Sequence, residues 1–324
     1  MPTALSLPPR ALPRRFRQPR LLLAGCGDVA ARIARLLEAR GSHYRIRALL
    51  RQKPDNENWA AWRALGTTPI TADLDQPRSL RRLRGIADSV IYLAPPAENS
   101  AADRRLNRFL AALHGARSLP RRLVLVGTTG VYGDRHGALT DETCPVRPKS
   151  GRAQRRVAAE QTLRRWRRSR CRASALSHPF TAQQGGILRV PGIYATDRLP
   201  VDRLRNETPA LRAEDDMWTN HIHADDLARI AWLALYRSGS IRPINACDNT
   251  QLQMGEWFDA VADATGLPRP TRLPREQLKG LVSPMMYSFM SESRRLDNTR
   301  LKRELRYRFR YPTVHDFLAT LTQP

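Results

Sequence analysis

The chain has 324 residues, of which 41% are hydrophobic, and it carries a formal net charge of +25 with a pI near 11.3. These values are typical of a globular protein with one large core or two smaller ones. No apolar run approaches the roughly 18 residues that a membrane-spanning helix needs, so we expect no membrane partner. The first 20 residues also lack the apolar stretch of a secretory signal. We interpret residues 1–19 as a disordered basic tail or as the product of a misplaced start codon.

The distribution of charge and of cysteine limits the class of partner and the compartment. Basic residues are spread along the whole chain, nearly all of them are arginine, and no nucleic-acid reader motif accompanies them. We therefore expect nonspecific attraction to polyanions and to phosphate-bearing cofactors, but no specific nucleic-acid recognition. The four cysteines lie far apart without metal-ligand spacing, which favours a reducing cytoplasm over a disulfide framework.

Short apolar runs alternate with longer helical patterns along the chain, which predicts a parallel sheet with helices on both faces. We expect strands at residues 21–24, 44–50, 68–71, 89–93, 123–126 and 187–190. Helices are expected at residues 31–39, 103–113, 152–166, 225–236 and 254–265. The Ser-, Ala- and Gly-rich stretch at 169–186 lacks periodicity and predicts a loop insertion.

A glycine-rich turn follows the first predicted strand and opens the first predicted helix, with the sequence Gly25-Cys26-Gly27-Asp28-Val29-Ala30. Gly25 allows a tight turn, and Gly27 lets the backbone approach a pyrophosphate at the positive end of the helix dipole. Ala30 takes the third position, where a small residue permits close helix–sheet packing. The strand–turn–helix context separates this pattern from a plain pair of loop glycines. We therefore expect residues 25–29 to bind a dinucleotide.

The residue after the second predicted strand bears on the choice of cofactor. An NAD site places an acidic side chain there on the ribose 2′-hydroxyl, whereas this chain has Arg51. Arg51 can pair with a 2′-phosphate, so the sequence favours NADP, with NAD as the alternative. The other interpretation of Arg51 is one more surface arginine in an arginine-rich chain.

These features together predict an α/β protein with a Rossmann doubly wound parallel sheet and a smaller, interleaved C-terminal substrate lobe. We assign residues 20–186 to the dinucleotide-binding domain, with its loop insertion near 169–186. Residues 187–324 are assigned to the last sheet strands and the substrate lobe.

The order of several further motifs resembles the NAD-dependent epimerase/dehydratase family, a group of extended short-chain dehydrogenase/reductases. Besides the glycine-rich turn, the segments that carry the resemblance are 71–74 (TADL), 92–96 (YLAPP), 127–133 (GTTGVYG), 188–194 (LRVPGIY), 220–227 (NHIHADDL), 294–298 (RRLDN) and 311–312 (YP). The resemblance implies an adenine contact from Asp73 and Leu74 and a cofactor-facing loop at Ala94 and Pro95. It also implies a hydroxyl at Thr128 on the nicotinamide or substrate side.

The chain departs from the family at the proton-transfer pair, a Tyr followed four residues later by a Lys. One alignment places Ser150 and Gln154 at these positions, and an alignment on Glu160 places Arg152 and Arg156 there. Both lose the pair, and no tyrosine occurs between residues 132 and 194. This makes the chain similar to atypical members of the superfamily.

The replacement residues limit the chemistry that we expect. Arginine cannot exchange protons near neutrality, because its pKa lies above about 12. Arg156 could still supply the positive charge and the ribose hydrogen bonds of the missing lysine. Thr128 and Tyr132 are then the candidates for a substitute catalytic group.

Other polar residues suggest less specific roles. His221 and His223 could bind a metal, but no third ligand accompanies them, so we expect no metal. Asp225 and Asp226 fit the N-terminal turn of a helix, with Asp225 as a capping residue. Cys26 lies near a helix N-terminus, which could lower its pKa, although the role of a small buried residue is favoured.

Two functions follow from these patterns. One is an NADP-dependent oxidoreductase or epimerase that lacks the usual Tyr/Lys pair. The alternative is a non-catalytic dinucleotide-binding sensor or scaffold. The expected partners are the nicotinamide dinucleotide and a small-molecule substrate that the sequence does not identify. A homodimer is compatible with the sequence.

Overall fold

A computed structural model describes residues 18–51, 57–98, 100–114, 119–175, 184–239 and 241–322. The predicted tail therefore lies outside the described residues, apart from residues 18 and 19, which have no regular structure.

In chain order, the strands of the described chain are β1 (Arg20–Ala24), β2 (Arg45–Leu50), β3 (Thr68–Thr71), β4 (Ser89–Tyr92), β5 (Arg122–Val126), β6 (Leu139–Thr140), β7 (Ile187–Arg189), β8 (Gly192–Tyr194), β9 (Ala210–Leu211), β10 (Trp218–Thr219), β11 (His221–His223), β12 (Pro243–Asn245), β13 (Leu252–Gln253), β14 (Arg272–Leu273) and β15 (Arg295–Leu296). Six of them, β1 to β5 and β7, lie where the apolar runs predict them.

The helices alternate with the strands through most of the chain. They are α1 (Asp28–Ala39), α2 (Glu57–Ala64), α3 (Arg104–His114), α4 (Gly151–Ala175), α5 (Val201–Arg205), α6 (Ala224–Arg237), α7 (Met254–Thr265), α8 (Arg275–Leu278), α9 (Pro284–Phe289), α10 (Thr299–Leu305) and α11 (Val314–Leu318). Short 3-10 turns include residues 77–83 and 196–198.

A seven-stranded parallel sheet organises the molecule, in the order β12-β7-β5-β4-β1-β2-β3. The chain first moves outward from β1 to β3 and then returns to β4 on the other side of β1. The carboxyl ends of β1 and β4 consequently diverge into a crevice, which is where open α/β sheets bind ligands. The predicted Rossmann-type α/β fold is confirmed.

Strand β1 shows why the apolar run folds at the centre of the sheet. Leu21 and Leu23 belong to the core on the face of α1 and α6, whereas Leu22 and Ala24 belong to the core on the face of α3 and α4. All four are fully buried. A run that is apolar at every position is the pattern of a strand covered on both faces.

Residues beyond β7 form shorter strands and a separate apolar core. This core includes Trp257 and Phe258 of α7 and Val314 and Phe317 of α11. Asp226 of α6 fixes the C-terminal segment, because its carboxylate accepts hydrogen bonds from the Tyr307 hydroxyl at 2.5 Å and from the backbone N–H groups of residues 310 and 311 at 2.8 and 3.0 Å. Strand β12 returns to the central sheet beside β7.

Helix α4 corrects one boundary of the sequence analysis. It continues from Gly151 to Ala175, so the first seven residues of the predicted loop insertion at 169–186 are helical. Residues 176–183 of that insertion lie outside the described residues. The helix packs on the sheet through Ala159, Leu163 and Trp166. Beyond them Arg and Ala predominate, and both are good helix formers that give no apolar periodicity.

Candidate functional site

The glycine-rich turn connects β1 to α1 at the crevice. Gly25 has φ +103°, and a Cβ there would lie 2.3 Å from the Ala94 nitrogen. Only glycine fits, because the end of β4 approaches the turn so closely. The Gly27 N–H donates to the Gly25 carbonyl at 3.1 Å, and a Cβ at Gly27 would meet no atom within 4 Å. No side chain caps α1, and its first turn lines a cavity.

Two cavities meet at this turn. The first, of about 480 Å³, lies on the side of β5, and the second, of about 360 Å³, lies on the side of β2. Gly25, Cys26 and Pro95 line both of them. Together the cavities follow the carboxyl ends of the parallel strands across the glycine-rich turn.

The β2-side cavity brings together several of the predicted cofactor residues. Arg51 lines it directly after β2, and Asp73 and Leu74 line it directly after β3. Asp75 lies at its edge in an ion pair with Arg105 at 2.6 Å, and the hydrogen bonds from that guanidinium hold the pKa of the Asp75 carboxyl below its usual value.

The β5-side cavity contains Thr128 and three arginines. The Thr128 oxygen accepts a hydrogen bond from the Gly130 N–H at 3.2 Å, so its own hydrogen remains available for donation. Arg152 and Arg156 lie one turn apart on α4 and both line the cavity, whereas Ser150 and Gln154 are not among its lining residues. The third arginine, Arg198, follows β8 in a 3-10 turn.

Arg156 is only 9% exposed, yet it has no ion pair in the described chain that would balance its charge. It donates to the carbonyl oxygens of Ala94 and Val126 at 3.4 and 3.3 Å, and its Nε has no hydrogen-bond partner among the described residues. Burial lowers its pKa, although the charge of Asp103 acts in the opposite direction. A guanidinium nevertheless remains a cation at neutral pH.

Tyr132 lies apart from both cavities, contrary to its expected role beside Thr128. It is fully buried, and its hydroxyl donates to Asn245 Oδ1 at 2.7 Å. The Arg189 guanidinium stacks over its ring at 4.7 Å, and burial raises the pKa of the phenol to about 12. Neither cavity has Tyr132 in its lining, so we remove it from the candidate site.

Cys26 is packed into the turn. Its Sγ donates weakly to the Leu23 carbonyl at 3.5 Å, and burial raises the pKa of the thiol to about 12. Burial therefore favours the neutral thiol, which suits the role of a small buried residue.

An ion-pair network beside the turn was not predicted from the sequence. Arg32 of α1 binds Asp28 at 2.9 Å, Asp197 at 2.9 Å and Asp225 at 2.7 Å. Arg198 also binds Asp28, at 3.3 Å. Only the i,i+4 pair of Asp28 and Arg32 was accessible to sequence reasoning. The carboxylate of Asp28, the one acid that lines the β5-side cavity in the described chain, is thus already paired.

The two histidines have structural roles. The His221 ring packs against Trp257 at 4.6 Å, and His223 Nδ1 accepts from the Asp225 N–H at 3.2 Å. His223, rather than Asp225, is therefore the cap of α6, while Asp225 and Asp226 lie in its first turn as predicted. The described residues contain no group of three or more His, Cys, Asp or Glu side chains that could hold a metal. Their helices include none that is long and apolar enough to cross a bilayer.

Comparisons with known proteins agree with this fold. No curated protein matches the chain in sequence. Among solved structures, a conserved protein of unknown function from Silicibacter pomeroyi DSS is 26% identical, with a TM-score of 0.72 over 94% of this chain and 98% of that chain. A protein assigned as an NAD-dependent epimerase/dehydratase from Methylobacillus flagellatus is also 26% identical, with a TM-score of 0.67 over the same shares.

A more distant structure, at 15% identity, is a UDP-glucuronic acid 4-epimerase from Bacillus cereus in complex with NAD. Its TM-score is 0.66 over 94% of this chain and all of that one. At this identity the likeness concerns the fold alone. The profile of the NAD dependent epimerase/dehydratase family matches residues 21–247, which include β1, the glycine-rich turn, the lining of both cavities and β12. The chain belongs to the NAD-dependent epimerase/dehydratase family, and its cofactor is a nicotinamide dinucleotide.

Proposed function

We propose that this protein binds NADP(H) across the two cavities, with NAD as the alternative cofactor. The observation that carries the proposal is the shared lining at Gly25, Cys26 and Pro95, which joins the cavities in front of the α1 N-terminus. A pyrophosphate fits at that position because the helix N-terminus is uncapped and Gly27 leaves the approach open. Asp28 and Val29 line the same approach from the first turn of α1.

The two halves of the dinucleotide would then lie on opposite sides of the turn. Asp73 and Leu74 in the β2-side cavity would contact the adenine, and Arg51 would pair with a 2′-phosphate. The nicotinamide riboside would lie in the β5-side cavity between Thr128 and Arg156, with the loop at Ala94 and Pro95 between the halves. The exposure of Arg51 suits a residue that binds a phosphate entering from solvent.

We further propose that Tyr/Lys-type hydride transfer is absent or slow in this chain. Among the described residues, the β5-side lining contains no tyrosine, lysine or histidine, and its one side-chain hydroxyl is that of Thr128. The site therefore supports a dinucleotide-binding protein, whose non-catalytic role would be that of a sensor or scaffold. Thr128 and Arg156 favour a second hypothesis, in which the protein is an oxidoreductase or epimerase and these two donors stabilise an oxyanion. As the compartment we propose the cytoplasm, since the cysteines that the structure describes are free thiols.

Fluorescence titration with NADPH and NADH tests this assignment. We expect NADPH to bind more tightly than NADH, and we expect Gly27→Val to abolish binding of both. Circular dichroism should show a retained fold in that variant, because a Cβ at Gly27 would meet no protein atom within 4 Å. Undiminished binding by a folded Gly27→Val protein would place the dinucleotide elsewhere.

A further inference from the structure

The described lining of the β5-side cavity contains more arginines than carboxylates. Arg152, Arg156 and Arg198 line the cavity, and Asp28 is its only lining carboxylate in the described part of the chain. Asp28 is already paired with Arg32 and Arg198 at 2.9 and 3.3 Å. This lining therefore offers no free carboxylate to Arg156 beside the position proposed for the nicotinamide.

Arg156 is the one buried arginine of this lining, and it has no ion pair among the described residues. Burial removes its guanidinium from water, and its Nε has no partner among the described residues. The charge of Arg152 disfavours the cationic form of Arg156, which shows that the two guanidinium groups repel each other. Asp103 offsets part of this cost but makes no direct hydrogen bond to Arg156. An unpaired buried cation is unfavourable until an anion or a strong acceptor binds to it.

We propose that Arg152 and Arg156 bind a second, small anionic ligand, a carboxylate or a phosphate, beside the bound dinucleotide. Two guanidinium groups one helical turn apart can donate several hydrogen bonds to such a group, and arginine forms its strongest pairs with planar or tetrahedral oxyanions.

The neighbouring side chains limit the size and shape of this ligand. Val190, Pro191 and Ile193 also line the cavity and suit a short apolar body. The ligand must be small, because the same cavity of about 480 Å³ also has to accept the nicotinamide riboside. Its position rests on the proposed function, whereas its binding to the two arginines does not.

The test measures binding of malonate by calorimetry at constant ionic strength, with malonamide as the uncharged analogue. Inorganic phosphate is measured as a second anion, and each probe is titrated with and without saturating NADPH. We expect malonate or phosphate to bind the NADPH-loaded protein and malonamide to bind at least tenfold more weakly. Arg156→Gln should weaken anion binding at least tenfold, and Arg156→Lys should restore part of it.

Arg165→Gln is the matched control, since Arg165 is an exposed arginine on the same helix outside the cavity. It should leave anion binding unchanged. If Arg156→Gln fails to fold, Arg152→Gln replaces it in the test, and we expect it to weaken anion binding by a similar factor.

The outcomes are distinguishable from failure of the proposed function. If NADPH does not bind at all, the proposed function fails, and the titrations without NADPH still report on the arginine site. Equal affinity for malonate and malonamide, or anion binding unaffected by both arginine variants, would overturn the second-ligand proposal. If NADPH competes with the anion instead of binding beside it, the arginines serve the cofactor itself and the proposal is also overturned.

Discussion

The two cavities on either side of the glycine-rich turn differ in how their charges are compensated. In the β2-side cavity, Arg105 and Asp75 bind each other at 2.6 Å, and Arg51 faces a lining that also contains Asp73. In the β5-side cavity, the described lining has three arginines and one carboxylate, and that carboxylate is already paired. Among the described residues this lining also has no tyrosine, lysine or histidine. The proposed cofactor site and the proposed loss of proton transfer can therefore be tested separately on the two sides of the turn.

The largest effect expected from this difference concerns catalytic turnover. Loss of a general acid typically costs 10²–10⁴-fold in rate, so turnover with NADPH should stay below about 1 s⁻¹. A screen of sugar nucleotides and small carbonyl compounds, followed at the nicotinamide absorbance, measures this rate.

A variant of Tyr132 sharpens that screen. Tyr132→Phe should leave any residual rate unchanged, because the hydroxyl binds Asn245 away from the cavity. It should lower the free energy of unfolding by about 1–3 kcal/mol, since Asn245 loses a buried partner. A rate above about 1 s⁻¹ that Tyr132→Phe abolishes would restore Tyr132 as the acid.

A second prediction compares a paired and an unpaired buried arginine. Arg189 binds both carboxylate oxygens of Glu160, at 2.9 and 2.8 Å, and both residues are almost fully buried. Glu160→Gln should destabilise the protein by roughly 3–5 kcal/mol, because it leaves Arg189 as an uncompensated charge. Arg156→Met should leave the stability of the ligand-free protein unchanged or raise it, because it removes a charge without an ion-pair partner. Urea unfolding measures the stability of both variants. If Arg156→Met lowers the free energy of unfolding as much as Glu160→Gln does, the contrast between the two arginines is wrong.

The glycine-rich turn provides a third test, in which neighbouring glycines should respond differently. Gly25→Ala adds a Cβ at 2.3 Å from the Ala94 nitrogen and forces a non-glycine residue to φ +103°. We expect a loss of roughly 2–5 kcal/mol of stability from strain and overpacking. Gly27→Ala is the matched control and should unfold like the parent protein while binding NADPH more weakly. Equal melting temperatures for the two variants would mean that the turn can rearrange.

Six of the seven strands of the central sheet were predicted, with most boundaries right to within a residue or two, because runs such as those of β1 and β4 are buried at nearly every position. Strand β12 was missed, since its three residues Pro243–Asn245 are too short for an apolar run. The predicted helix ended nine residues before the end of α4, at residue 166, since residues such as Arg167 and Arg168 form helix without an apolar stripe. At the site, residues 25–29 were predicted as one segment because strand, turn and helix are contiguous. The position of Tyr132 outside both cavities was not predictable from its neighbours in sequence, because its partner Asn245 lies 113 residues away. Arg198 was missed for a similar reason, as only the folded chain brings it to Asp28.

The smallest expected effect concerns Arg51 and the choice of cofactor. Arg51 is exposed and lines the β2-side cavity directly after β2, where solvent screens its charge. A charge-assisted contact to a 2′-phosphate is typically worth about 1.5–3 kcal/mol, and for an exposed side chain we expect the lower end, about a tenfold loss of NADPH affinity in Arg51→Ala. NADH affinity should stay the same, because NADH lacks the phosphate.

The matched control for Arg51→Ala is Arg63→Ala, which removes an exposed arginine of α2 that does not line the cavity. Both variants lower the net charge by one, so a general loss of attraction for polyanions would affect them equally. If Arg51 contacts the 2′-phosphate, only Arg51→Ala should weaken NADPH binding. The difference in affinity between the two variants should shrink with added salt. If the two variants lose NADPH affinity equally, Arg51 is one surface arginine among many, and the preference for NADP has to come from another residue.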